Sequence, residues 1–244
     1  MKDYYQRVFR PDLTTIVVIG KVVPGEVRAL IGKYFGSWKT VGPKPETVLP
    51  AVPPNEPSRT EVPDRSRVQD VVILAETLGL TRSDPDYYAL ELGNHVLGGA
   101  FYATRLYHDL REEAGLVYYV SSIFDIGQKR SLYLVRYACD PGKVSLARAI
   151  IERDLKEMQK ELTTPKELRQ AKALLLREIP LSESSFDNIA QGLIYRATHD
   201  LPLDEPTLAA HHYVRLTAEQ VRAAFATWLR PEDLVQVTQG PPSQ

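Results

Sequence analysis

The run Thr14-Thr15-Ile16-Val17-Val18-Ile19, closed by Gly20, is short, β-branched and continuously apolar, the pattern of a central strand covered on both faces. A helix is predicted directly after it. From Pro24 to Phe35 the residues Val27, Leu30, Ile31 and Tyr34 recur at spacings of three and four, with Pro24 suited to the first turn and Gly36 to the exit. Seven prolines between Pro43 and Pro63 exclude helix and central strand and predict an extended surface connector over 40–63. Val68–Leu74 is a second strand, and Asp84-Pro85 opens a helix reaching about Leu97, where Gly98-Gly99 stops it. Another helix is expected from about Tyr102, with Leu106, Tyr107, Leu110 and Ala114 on one face and Gly115 as its left-handed exit. Leu116–Ile123 and Leu132–Cys139, separated by Gly127–Arg130, are placed to pair as a hairpin.

The pattern then turns helical. Asp140-Pro141 opens a long amphipathic helix whose stripe is Val144, Ala147, Ile151, Leu155, Met158 and Leu162, and Thr164-Pro165-Lys166-Glu167 is a capping box for the next, which Pro180 should end or kink. Ser184 to about His199 and Glu205–Val214 follow, Thr217-Ala218-Glu219-Gln220 caps a last helix, and Leu234–Val237 is a closing strand. This order predicts an α+β fold of one domain over 1–244, with a mostly antiparallel sheet and helices packed on one side. No internal repeat is visible.

Composition narrows the classes. Lys plus Arg number 30 against 31 Asp plus Glu, a net charge of −1, so no global field would gather nucleic acid or an anionic membrane. No stretch approaches the ~18 apolar residues of a membrane span. The single cysteine, Cys139, excludes an intrachain disulfide and a multi-cysteine zinc site, and reads as a buried core residue at a strand end. Met1-Lys2-Asp3-Tyr4-Tyr5 has no apolar core behind a basic end and no helix-start signal, so residues 1–9 read as the tail of a connection from an upstream domain.

Catalytic motifs are missing from the chain. A zinc peptidase needs His-Glu-x-x-His or its inverse His-x-x-Glu-His, and neither occurs. No two of His95, His108, His199, His211 and His212 are four apart, and the adjacent pair would diverge by about 100° on a helix. There is no Gly-x-Ser-x-Gly elbow and no phosphate-cradling loop, since Gly98-Gly99 is only a dipeptide.

One segment carries a resemblance. Leu97-Gly98-Gly99, Thr104-Arg105-Leu106, Leu110-Arg111-Glu112 and Gly115-Leu116-Val117-Tyr118 resemble the second, zinc-free domain of the pitrilysin/insulinase metallopeptidases. Thr104 stands for a usual Ser and Ala114 for a commonly basic residue. Tyr5 to Trp38, with Phe9-Arg10-Pro11-Asp12-Leu13 and Lys33-Tyr34-Phe35-Gly36, looks like the entry to the same domain, although Lys21 sits where an acidic residue is usual. The likeness implies the half-molecule fold of mitochondrial processing peptidase-like proteins. It also implies a peptide substrate, no metal on this chain, and zinc on a homologous partner domain or subunit. The family's functional Arg and Tyr, seven apart, fall on Arg111 and Tyr118, which would bind a peptide carbonyl and stabilise the oxyanion that develops on it. Taken without the resemblance, Arg111 reads equally as a solvated residue at a favourable helix C-terminus and Tyr118 as an ordinary strand aromatic. Tyr119 is expected on the opposite strand face with a structural role, and Arg105 in an ion pair or helix contact. The rival expectation is a non-catalytic interaction domain on the same scaffold.

Overall fold

In the computed structural model, which describes residues 1–46, 49–100 and 102–242, the backbone divides into two compact units. One is Met1–Leu49 with Ile179–Glu205 and the other Pro50–Glu178 with Pro206–Gln244.

The first unit holds α1 (Lys2–Val8) and α2 (Pro24–Phe35). α1 forms where the sequence gives no start signal. Its N-terminus has no side-chain cap, and the ring of Tyr5 stacks on that of Phe9 one turn later, at 4.6 Å between centroids. α2 has the predicted bounds, Pro24 in its first turn included. The strand expected at Thr14–Ile19 is absent: that stretch pairs with no other strand. A run of β-branched residues becomes a strand only where a neighbouring strand offers matching main-chain groups, and none does so here.

The second unit is built on a five-stranded sheet of β1 (Arg59–Pro63), β2 (Asp70–Leu78), β3 (Val117–Asp125), β4 (Ser131–Cys139) and β5 (Val235–Gly240), in the order β1-β5-β2-β4-β3. All pairings are antiparallel except β1 with β5. The expected connector therefore ends in a strand. β1 lies at the sheet edge, the position where a proline such as Pro63 does not interrupt the ladder; Thr47 and Val48 of the connector lie outside the described residues. Along β2 and β4 alternate residues are buried, with Val72, Leu74, Tyr133, Val135 and Tyr137 fully so. Cys139 ends β4 in the core, and burial raises its thiol to about 11.

Helices pack over the sheet. α3 (Tyr87–Leu97) contacts β3 and runs against α5 (Val144–Lys160) and α9 (Ala218–Trp228), and of the predicted stripe Ala147, Ile151, Leu155 and Met158 are buried, while Val144 is half-buried and Leu162 lies past the helix end and is exposed. Asp84 does not cap α3; its carboxylate accepts from the Thr81 N–H at 2.6 Å, and the helix begins at Tyr87. The helix expected from Tyr102 to Ala114 is shorter and of two kinds: α4 (Arg105–Tyr107) passes into a π-helical turn, His108–Glu113. α6 (Pro165–Ser182) carries Pro180 near its end. α8 is Glu205–Arg215, and the capping box of Thr217 with Gln220 on α9 is complete in both directions, whereas α7 (Phe186–Thr198), capped by Ser185, belongs to the first unit. Among the described residues no helix is long and apolar enough to cross a membrane.

Candidate functional site

The two glycines after α3 are required by what lies against them. A Cβ on Gly98 would meet Ser122 Oγ at 2.5 Å and Leu106 Cδ1 at 2.8 Å, and one on Gly99 would meet Asn94 Nδ2 at 2.6 Å. Both N–H groups return to Asn94 O, Ser122 N–H donates to Gly98 O at 3.0 Å, and Ser122 Oγ donates to Asn94 Oδ1 at 2.6 Å. The end of α3 is thereby fastened to β3. Thr104 then caps α4 by accepting from the Tyr107 N–H, and Leu106 and Leu110 enter the core with no exposed surface. Arg105 finds its partner on α6, a two-pronged ion pair with Glu167 at 2.8 and 3.1 Å. The same Glu167 accepts from the Thr164 N–H in the capping box, so one carboxylate serves both helices.

The wide π turn and the reversal behind it set the position of Arg111. Ala114 N–H reaches back to Asp109 O, Leu116 N–H to Leu110 O, and Gly115 takes the left-handed conformation, φ +59°, that turns the chain into β3. Arg111 and Tyr118 are thus brought together. Arg111 Nη1 donates to Tyr118 O at 2.7 Å, and the guanidinium carbon sits 4.6 Å from the centre of the Tyr118 ring and 5.2 Å from that of Tyr107. Close to two rings and tied at one nitrogen, the guanidinium keeps Nε and Nη2 without a hydrogen bond among the described residues. The Tyr118 hydroxyl likewise has none, and the side chain is 76% exposed.

A cavity of about 540 Å³ lies beside this pair, walled by Gly98-Gly99, Tyr102, Tyr107, β3 from Tyr118 to Ser121, and Leu174 and Glu178 of α6. Its aromatic wall was missed in the sequence, except for Tyr118. Tyr107 falls on the predicted apolar face of the helix, and Tyr119 was expected to point away. The register of β3 on β4 shifts between Val117 and Tyr119, a bulge that breaks the two-residue alternation at Tyr118, and both tyrosines line the cavity. The Tyr119 and Ser121 hydroxyls share a 2.6 Å hydrogen bond. Glu178 stands 3.5 Å from Nε2 of the buried His95.

The site is rich in donors and has no metal-binding set. Among the described residues no three His, Cys, Asp or Glu side chains gather so as to hold a metal ion. His108 pairs with Asp109, His199 stacks on Tyr195 and His212 on Tyr88. These residues do not fit a zinc centre.

Comparison with known proteins gives this geometry a context. The family model described as the peptidase M16 inactive domain matches residues 1–175. A probable inactive metalloprotease of Bacillus subtilis, YmfF, is 27% identical over 182 residues, which cover 72% of this chain and 40% of that protein. An uncharacterised zinc protease of Mycobacterium leprae is 27% identical over 183 residues, 72% of this chain and 39% of that one. The crystal structure of a peptidase M16 inactive domain from Pseudomonas fluorescens superposes with a TM-score of 0.80 at 28% identity, covering 92% of this chain and 53% of that chain. The chain spans about two fifths of the length of the curated relatives it matches.

Proposed function

Since the chain belongs to the peptidase M16 inactive-domain family, we propose that it is the substrate-binding half of a composite zinc peptidase, in which Arg111 and Tyr118 hold the carbonyl of the peptide to be cleaved. The metal and the general base belong to a homologous zinc-bearing half, and zinc there supplies the hydrolytic chemistry. This chain contributes binding and charge stabilisation.

The observation that carries the reading is the restrained guanidinium. Arg111 spends one N–H group on Tyr118 O and lies within cation–π distance of two rings, contacts that restrain its remaining donors before a substrate arrives. Preorganised donors stabilise negative charge developing on an oxygen without reorganising during the reaction. The Tyr118 hydroxyl is a second donor at the same cavity, and the tyrosine wall offers apolar surface to substrate side chains. Tyr118→Phe deletes one hydroxyl and preserves the ring. In the complete enzyme it is expected to lower turnover of a fluorogenic peptide by ~10²-fold with zinc content unchanged. Full turnover in that variant would make Tyr118 a structural residue.

A second reading has its own support in the relative named as an inactive metalloprotease: a non-catalytic domain that uses the same cavity to hold a peptide or partner. The two differ in the polypeptide that accompanies this chain. A His-x-x-Glu-His sequence there supports the peptidase, and its absence the binding domain.

A further inference from the structure

One carboxylate stands apart on the wall of the β3 cavity. Glu178 of α6 is 59% exposed there, and its oxygens take no hydrogen bond among the described residues. Its charged-group neighbour is His95 of α3, whose Nε2 lies 3.5 Å away, beyond hydrogen-bond distance. The other ring nitrogen sets the tautomer. His95 Nδ1 is 3.0 Å from the carbonyl oxygen of Glu91, which can only accept, so Nδ1 carries the hydrogen and the neutral ring turns the lone pair of Nε2 toward Glu178. Two acceptors therefore face one another with no protein donor between them among the described residues. His95 is buried, and Glu178 is the member of the pair that the cavity reaches.

The rest of the wall selects the donor that would complete this pair. Leu174, one turn before Glu178 on the same face of α6, is half-buried and sets apolar surface beside the carboxylate. Tyr102 and Tyr107 meet edge to face with centroids 5.1 Å apart, and together with Tyr118 and Tyr119 they offer ring faces that attract a cation and cover the methylenes behind it. Arg111 limits where that cation can sit. Its own charge, near the Tyr107 and Tyr118 rings, repels a second one, and it lines the cavity without forming an ion pair with Glu178, so the carboxylate end is the place for a basic group. We propose that Glu178, with Nε2 of His95 behind it, is a subsite for one Lys or Arg side chain of the peptide. This rests on the peptide-binding reading above and adds what Arg111 and Tyr118 do not supply. Those two hold a main-chain carbonyl, which every peptide has, whereas Glu178 tells one peptide from another.

The test uses the complete protein, with the His-x-x-Glu-His half in the same polypeptide or as a co-expressed subunit, and fluorogenic peptides of neutral sequence. A single Lys is walked through the positions around the cleaved bond, each peptide being paired with one that has Met in its place. At one position Lys should be preferred about tenfold in kcat/KM, and the gain should lie in KM, because an ion pair made equally in the ground and transition states leaves kcat unchanged. Glu178→Gln should bring the ratio close to one at an unchanged melting temperature, and Glu178→Lys should reverse it in favour of a Glu peptide. Acetylating the peptide N-terminus should not alter the preference; loss of the preference on acetylation would assign the cation to a free amino end and overturn the side-chain subsite. So would the lack of a Lys preference at every position, or a preference that survives Glu178→Gln. The peptidase reading fails separately. If the complete protein cleaves none of the peptides, anisotropy of the same labelled peptides gives the Lys-to-Met ratio as a ratio of Kd, and a ratio removed by Glu178→Gln would keep the subsite on a non-catalytic domain. Cleavage without a Lys preference would keep the peptidase and remove the subsite.

Discussion

At its β3 edge the sheet borders a cavity of about 540 Å³, and at its β1 edge one of about 560 Å³, yet the two differ in the balance of donors and carboxylates. The β3 cavity is walled by tyrosines, by a guanidinium with two nitrogens free of hydrogen bonds among the described residues, and by one carboxylate, Glu178, which stands 3.5 Å from His95. The β1 cavity is lined by Asp70, Glu61, Arg59 and Gln236, and the Asp70 carboxyl is pushed above its ordinary range by burial and then by the neighbouring Glu61 charge. Size does not separate these sites. Donor direction does, because a carbonyl oxygen gaining negative charge is stabilised by fixed N–H and O–H groups and repelled by carboxylates.

The largest effect expected from this contrast is on Arg111. Arg111→Ala in the complete enzyme should lower turnover by ~10²–10³-fold, about 2–4 kcal/mol, at unchanged zinc content. Arg111→Lys should recover little of it, since an ammonium does not reproduce the planar fork that ties to Tyr118 O while donating onward. Arg111→Ala combined with Tyr118→Phe should be little worse than the poorer single variant, because both groups would act on one oxygen. Fully additive losses in kcat would show that the two residues serve separate purposes.

Between the two edges, Glu76 on β2 is buried beneath the Arg230 N–H, and desolvation raises its carboxyl to about 7. The folded state therefore holds a proton that the unfolded chain has released, so the contribution of Glu76 to stability is fully present below about 4.5 and is lost as pH rises through about 7. The loss is about 3 kcal/mol as an order of magnitude. Asp154, raised to about 6 mainly by burial, adds a slope of the same sign at lower pH. Urea unfolding at a series of pH values should show Glu76→Gln removing the slope between about 6 and 7, reducing it between 4.5 and about 6, and leaving below that the slope that begins at the ordinary Asp154 value of 3.8.

Tyr119→Phe should change turnover by no more than about threefold, because its hydroxyl is already engaged with Ser121. The smallest effect is expected at the other edge: Asp70→Asn should leave turnover unchanged. A loss there as large as that of Arg111→Ala would assign the substrate to the β1 cavity and break the comparison.

Helix ends and spacings were legible in the sequence because the forces behind them are local. α2 begins at Pro24, Thr217 and Gln220 cap each other, and the α5 stripe is buried from Ala147 to Met158, all within one or two turns of backbone. The hairpin of β3 and β4 was equally visible, its short turn bringing neighbouring runs together. Arg111 and Tyr118 were singled out through the motif that carries them, and the structure brings the two side by side. Tertiary structure alone decided the rest of their setting. Glu167 as the partner of Arg105 and Glu178 on the cavity wall come from α6, far along the chain, and the π turn and the Tyr118 bulge rotate side chains in ways that regular periods do not encode. Thr14–Ile19 shows the limit from the other side: its residues specify a strand, but strand formation needs a second strand, and that partner is not encoded in the run itself.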